Sequence, residues 1–347
     1  MLLRKIFLTN FRNFKSNKFE FNPFLTIIVG ENARGKTNLL EAVFFLINGT
    51  GFREIKEEEL INFNEERTQV EGIFNLADQS FNFRVVVDKK SGFTEKKYFI
   101  NQAKKKFYQY LKEQTKAILF SPEQIEIING SPEKRRDYFN KQISFYDNEY
   151  KRKLLNYENA LKRRNKILER QIDLEKLKEE ISFWNRYLEE QGGYITQKRQ
   201  SYIDFLNQNQ NLDSKKFEIN YLKSEINQEK LLEKFELEKK VKKTLIGPQK
   251  DDFQINIGDH EKKNIHRFGS RSEQRLAVFW LKINEIKFYE SLYKKKPIIL
   301  LDDIFSEFDI NNKILIIDLI KKYQSVVTST DVDLIKIAEV PKTIIKL

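Results

Sequence analysis

The chain has 347 residues, 40% of them hydrophobic and 33% charged, a balance that excludes both a membrane-embedded protein and a disordered tail as the description of the whole. Zero cysteines exclude disulfides, cysteine nucleophiles and thiolate metal sites, and two histidines, His260 and His266, leave little for zinc. A net charge of +12 points to a polyanionic partner, because clustered Lys and Arg neutralise phosphates and release counterions, although lysine is also the ordinary solvated residue of this composition. No run of 18 apolar residues occurs, and the opening MLLRKIFLTNFRNF lacks an apolar core with a small-residue cleavage site, so a cytoplasmic protein with no membrane partner is expected.

Residues 1 to 100 read as strands with one strong helix. KIFLTNFRNF and KFEFNPFLTIIVG have strand character, with Asn22-Pro23 as a turn, and Lys36 to Leu46 predicts a helix. TQVEGIFNL and SFNFRVVVD alternate, which predicts an antiparallel flank. From about 145 to 210 the chain turns charged and helical. Leu154, Tyr157, Leu161 and Leu168 recur at helical spacing, as do Leu177, Ile181, Trp184, Leu188 and Ile195, with Gly192-Gly193 interrupting the second series. KFEINYL alternates briefly, another charged helix follows from Glu229 to about Leu245, and 297–347 returns to strands and helices. The expectation is an α/β domain, split in sequence into 1–140 and 245–347, with a mainly helical lobe inserted at 141–244.

Gly30-Glu31-Asn32-Ala33-Arg34-Gly35-Lys36-Thr37 fits the phosphate-loop pattern GxxxxGKT, with Asn38 following, a buried strand before it and a helix after it. In such a loop the glycines let backbone N–H groups turn onto phosphate oxygens, and the helix start adds its positive dipole end. Lys36 reaches the β and γ phosphates, and the Thr37 hydroxyl ligates magnesium. Far downstream, Pro297-Ile-Ile-Leu-Leu-Asp302-Asp303 is an apolar strand ending in two carboxylates. Strand alternation sends them in different directions, which assigns Asp302 to magnesium and Asp303 to the attacking water. Before that strand, Phe268-Gly-Ser270-Arg271-Ser272-Glu-Gln274-Arg275 opens an apolar helix. Ser270 or Ser272 is a candidate N-cap there, and the helix start is a second anion-binding end. Taken singly, these are an ordinary strand end and an ordinary cap; with the phosphate loop they point to a nucleotide held between two subunits. Arg135-Arg136 and Lys162-Arg163-Arg164 are candidate nucleic-acid contacts, with a solvated helix face as the ordinary alternative.

In chain order, LTNFRNF, GENARGKTNLLEAVFFL, FSPEQIEIINGSPEKRRDYFN, LKRRNKIL, TLIGPQKDD, SRSEQR, LLDDIFSEFD and VVTSTD resemble the RecF family, bacterial recombination mediators related to SMC proteins and ABC ATPases. The likeness covers nearly the whole chain, and GSPxxRR with LLDDxFSEFD is far more specific than the phosphate loop alone. It implies an ABC-type, SMC-head-like P-loop ATPase domain with an antiparallel β flank and an inserted α-helical lobe. It implies that Gly30, Asn32, Gly35, Lys36 and Thr37 bind ATP, with Glu31, Ala33, Arg34 and Asn38 in the same loop. Asp302 and Asp303 match the Walker B pair, Gln124 stands at a Q-loop position beside metal and reaction, and Asp309 matches the D-loop aspartate. Ser270, Arg271, Ser272, Gln274 and Arg275 match the signature that closes on a partner's γ-phosphate. The resemblance further implies ATP and Mg2+ as cofactors, slow DNA-stimulated hydrolysis and an ATP-dependent homodimer. The partners it implies are double-stranded DNA, gapped or ss/ds junction DNA, and RecO- and RecR-like proteins, with which recombinase is placed at single-stranded gaps in the nucleoid.

The chain departs from the family pattern at several positions. Ser272 stands where the signature has glycine, Gln249-Lys250 replaces His-Arg in GPHRDD, Ala33-Arg34 replaces Gly-Ser, and Thr328-Ser329-Thr330 fills the switch region. Glycine permits the closest backbone approach to phosphate, and Lys lacks the planar fork of Arg. Rival readings are an SMC-like defence or repair ATPase with another partner, a small-molecule P-loop phosphotransferase, and a transporter ATP-binding subunit. The first normally carries an appended catalytic domain, the second needs a second substrate pocket and no trans signature, and the third needs a switch histidine.

Overall fold

The computed structural model describes residues 1–53, 56–170, 173–259, 261–306, 310–329 and 340–347. They divide into two compact units, 1–123 with 282–347, and 124–281. The expected insertion at 141–244 lies inside the second unit, whose limits are wider on both sides.

The first unit contains two sheets. Its antiparallel sheet has six strands in the order Phe14–Glu20, Leu2–Phe11, Arg67–Leu76, Gln79–Lys90, Phe93–Ile100, Ala103–Lys105. Alternation explains it: Arg67–Leu76 buries Thr68, Val70, Gly72 and Phe74 on one face and turns the residues between them outward. KIFLTNFRNF holds a hairpin rather than one strand, because the chain reverses at Arg12-Asn13 with Arg12 at φ 51. The second sheet has five parallel strands, ordered Lys342–Lys346, Leu25–Val29, Ser325–Ser329, Ile298–Asp302, Ala117–Phe120. All but the Lys342–Lys346 edge are buried along their whole length, as apolar runs such as LTIIV and IILLD require. The helix Lys36–Asn48 buries Leu39, Leu40, Ala42, Val43, Phe45, Leu46 and Ile47 in the core between these elements. Each such Leu or Phe contributes roughly 1.5–3 kcal/mol by leaving water.

The second unit carries a small antiparallel sheet, Lys263–Asn264, Asp252–Ile257, Lys215–Leu222 and Asn211–Leu212. Its longer helices are Pro132–Tyr146, Asn148–Leu168, Leu174–Gln208 and Gln228–Val241, together with the first part of Arg271–Tyr293. The 35-residue helix Leu174–Gln208 runs straight through Gly192-Gly193. Gly192 is there for closeness: a Cβ on it would lie 2.8 Å from Ile226 Cγ2, while Gly193 faces open space.

Two of the candidate DNA-contacting arginines are internal struts of this unit. Arg164 is fully buried, pairs with Glu238 at 2.7 Å, and donates to Asn185 at 2.8 Å and to Thr244 at 2.8 Å. Arg135 is buried and forks onto the Asp252 carboxylate at 2.7 and 3.0 Å. Partners this good leave neither guanidinium for a phosphate. Lys162 and Arg163 remain exposed, and Arg136 is half-buried, donating to the Asp251 carbonyl at 2.9 Å. The GPQKDD segment is equally structural. Asp251 accepts from Arg199 at 2.6 Å, from the Ser224 N–H at 2.8 Å and from the Tyr221 hydroxyl.

Candidate nucleotide site

The Leu25–Val29 strand ends at Gly30, and a short loop must turn there into the helix Lys36–Asn48. Gly35 makes the last turn at φ +106, and a Cβ on it would lie 2.6 Å from Asn13 Nδ2, so geometry and crowding both require glycine. Glu31, Asn32, Ala33 and Arg34 are exposed, with Ala33 at φ 65. Arg34 pairs with Glu31 at 3.2 Å, which offsets the charge that Arg34 adds to the loop. Lys36 is buried, and its ammonium donates to the carbonyls of Gly30 at 2.7 Å and Glu31 at 3.0 Å, spanning the loop from inside. Asn38 donates to Asn13 Oδ1 at 2.8 Å, which ties the first helical turn to the hairpin.

The parallel register brings the acidic pair to this loop. Asp302 ends its strand opposite Thr328, whose strand lies between it and Leu25–Val29. Its Oδ1 accepts the Thr37 hydroxyl at 3.1 Å and the Thr328 hydroxyl at 2.7 Å. Burial pushes the Asp302 carboxyl above its ordinary pKa against those two hydrogen bonds, and the negative charge of Glu123 adds to the rise. Asp303 leaves the strand at φ 50, and its N–H donates to Thr328 Oγ1 at 2.9 Å. A hydroxyl beside a carboxylate, both hard oxygens, suits magnesium, which takes few protein ligands and keeps its waters. Among the described residues no group of three or more His, Cys, Asp or Glu side chains could hold a metal alone.

Sequence reasoning missed a charged network beside the loop. Glu41 is fully buried on the apolar face of the helix and accepts from Arg12 Nε at 2.9 Å and Arg53 Nη2 at 3.1 Å. With Asn13, Asn38 and Phe63, the two arginines line a cleft of about 630 Å³. A lone carboxylate inside LLEAVFFL was the available signal, since such an acid needs a cationic partner.

In the second unit, Ser270 caps the helix Arg271–Tyr293 reciprocally. The Glu273 N–H donates to Ser270 Oγ at 3.3 Å, and the Ser270 N–H donates to Glu273 Oε2 at 2.8 Å. Lys263 clamps Glu273 at 2.6 Å. Arg271 and Ser272 are exposed at the helix start, and Gln274 and Arg275 are half-buried. Gln274 donates to the Gly269 carbonyl at 3.3 Å. Gln124 is half-buried in the turn Pro122–Ile125. Asp309 and Thr330 lie outside the described residues, as does His260.

The model of the RecF/RecN/SMC N terminal domain family matches residues 2–346. The chain is 33% identical over 351 residues to the DNA replication and repair protein RecF of Caldanaerobacter subterraneus subsp. tengcongensis, covering 95% of this chain and 94% of that protein. It is 31% identical over 361 residues to RecF of Natranaerobius thermophilus, covering 96% and 92%. Among solved structures, the recombination mediator protein RecF-ATPrS of the RecFOR pathway superposes with a TM-score of 0.85 at 31% identity, covering 99% of this chain and 95% of that one. The RecF-ATP structure gives 0.80 at 32% identity, covering 95% and 92%. An Smc head domain from Pyrococcus furiosus shares the fold, with a TM-score of 0.54 at 19% identity over 99% of this chain and 93% of that one.

Proposed function

We propose, for a chain that belongs to the RecF family, that it binds ATP with magnesium, hydrolyses it slowly and uses it to pair two copies on DNA in recombinational repair. The observation that carries this reading is the 3.1 Å hydrogen bond from Thr37 to Asp302, which sets the end of the acidic strand against the first turn after the phosphate loop. Backbone N–H groups from Gly30 to Thr37 would meet phosphate oxygens, and Lys36 would exchange its two carbonyl partners for them. Thr37 and Asp302 would hold magnesium; bound there, the ion supplies neutralisation of phosphate charge. Asp303 would orient the attacking water and accept its proton. The cleft with Arg12 and Arg53 offers flat cationic walls for a base and sugar.

In the proposed dimer, Ser270, Arg271, Ser272, Gln274 and Arg275 of one copy would face the γ-phosphate held by the other. The Ser272 hydroxyl would then donate where the family has a bare backbone. Sequence-independent, salt-sensitive binding to double-stranded, gapped or junction DNA fits the net charge of +12. RecO- and RecR-type proteins are the proposed partners, because the solved relatives are described as members of the RecFOR pathway. The proposed setting is the cytoplasm; no described helix is long and apolar enough to cross a membrane. The head would comprise 1–140 and 245–347, and the lobe 141–244.

The test is the mass in solution by light scattering of Asp303→Asn, which blocks turnover, with no nucleotide, with ADP and with ATP plus magnesium, each with and without a short gapped duplex. A dimer forming only with ATP and strengthened by the duplex supports the reading. A monomer throughout, despite measured ATP binding, overturns it and favours a phosphotransferase.

A further inference from the structure

We infer that Thr328 is a positioning residue for the acidic pair, its single hydroxyl fixing both the Asp302 carboxylate and the backbone turn that aims Asp303. The inference rests on the ATPase reading above for its catalytic consequence, and on geometry alone for its structural part. Thr328 is 1% exposed and lies directly opposite Asp302 in the parallel ladder. Its Oγ1 donates to Asp302 Oδ1 at 2.7 Å and accepts the N–H of Asp303 at 2.9 Å. An ionised carboxylate cannot donate, so the hydroxyl proton is committed to Asp302 and the lone pair is left for Asp303.

The turn needs such a partner. Asp303 holds φ 50, in the left-handed region that disfavours most side chains. Aspartate tolerates that region better than most residues, and a restraint from its surroundings fixes it there. Thr328 supplies that restraint from a rigid strand buried along all of Ser325–Ser329. It also shares Asp302 Oδ1 with Thr37, so the hydroxyl after the phosphate loop and the hydroxyl of the neighbouring strand bracket one oxygen. The Asp302 carboxylate and the backbone of Asp303, which leaves the strand at φ 50, are thereby tied to one side chain outside the Asp302-Asp303 segment. Valine would keep the shape and strand preference of threonine but could make neither bond.

The experiment compares Thr328→Val and Thr328→Ser with the wild type. In protein free of nucleotide and metal, Asp303 amide exchange followed by NMR should accelerate at least about tenfold in Thr328→Val and stay near wild type in Thr328→Ser. In ATP turnover, kcat should fall about 10- to 100-fold in Thr328→Val, the range seen when a partner of a metal-site group is lost, while ATP binding holds within about threefold and Ser restores the rate. Unchanged Asp303 exchange, an unchanged kcat, or a serine variant as slow as valine would overturn the inference. Because exchange is read without nucleotide, a wild type with no turnover would strike the ATPase reading and leave the hydroxyl's structural role to the exchange result. If Thr328→Val does not fold, Thr328→Cys, similar in size with a much weaker hydrogen-bonding group, makes the same comparison.

Discussion

Glu285 offers a quantitative test of how the first unit is held. Its side chain is 3% exposed; Oε1 meets Lys116 Nζ at 2.9 Å and Oε2 meets Lys282 Nζ at 3.0 Å, so each oxygen has one ammonium. Burial alone pushes this carboxyl up, but the two lysines outweigh it and hold Glu285 down at about 2, against an ordinary 4.5. The folded value is the lower one, so the stabilisation is present above pH 4.5 and is lost as pH falls from there toward about 2. At 1.36 kcal/mol per pH unit of displacement, ionising Glu285 in the folded chain contributes on the order of 3 kcal/mol at neutral pH, offset in part by the burial that lowers the pKa of its partner Lys116. Glu285→Gln would leave two buried ammoniums facing a neutral amide, and breaking a buried pair from one side costs about 3–5 kcal/mol. Both tryptophans, Trp184 and Trp280, lie in the other unit, so fluorescence would follow the wrong part of the molecule. The measurement is urea-dependent hydrogen exchange of peptides spanning Ala117–Phe120 and Ile298–Asp302. The gap between wild type and variant should be widest at pH 7 and should close on acidification below 4.5. A loss under about 1 kcal/mol at pH 7, or a gap that does not change with pH, would refute the reasoning, because surface-like pairs are worth only about that much.

Lys36→Ala should lose ATP binding in a fluorescent-nucleotide titration while keeping the melting temperature within a few degrees, since the lysine's carbonyl partners sit on an exposed loop. Gly35→Ala should weaken ATP binding and destabilise the unit by roughly 1 kcal/mol or more, because φ +106 and the Asn13 contact both oppose a side chain; calorimetry checks it. Arg164→Ala should destabilise the second unit by about 3–5 kcal/mol in urea, leaving Glu238 buried and unpaired. Its exposed neighbour Arg163, whose guanidinium lies 5.4 Å over the Trp184 ring, should cost about 1 kcal/mol or less when changed to Ala, and any loss of DNA affinity there should shrink with added salt.

The strand-loop-helix turn over 30–37, the strand ending at Asp302 and the helix cap at Ser270 were legible because each is local and a few consecutive residues carry the backbone signal; Asp303, expected to alternate along that strand, leaves it instead at φ 50. The buried strands Leu25–Val29 and Ile298–Asp302 were legible as apolar runs for the same reason. Arg135 and Arg164 were not, because an arginine's default place is the surface and nothing near it in sequence names a partner; Asp252 lies 117 residues from Arg135. Thr328 read as part of a switch segment, and only the strand register assigned it to Asp302. Gly192-Gly193 looked like an interruption because helix propensity counts against glycine, whereas close packing on Ile226 was the deciding term.

The strand that leads into the phosphate loop has both its sheet neighbours near the far end of the chain: Leu25 pairs with Ser325 on one side and Lys342 on the other. On a ribosome this strand therefore waits through about 300 further residues before either edge can be paired, on the order of 15 to 60 s of bacterial synthesis. Throughout that interval LTIIV is an apolar segment with free edges, a hazard for aggregation and a natural client for a chaperone. Partial chains would lack the Ser325–Ser329 strand and with it the hydroxyl that ties Asp302 to its neighbour.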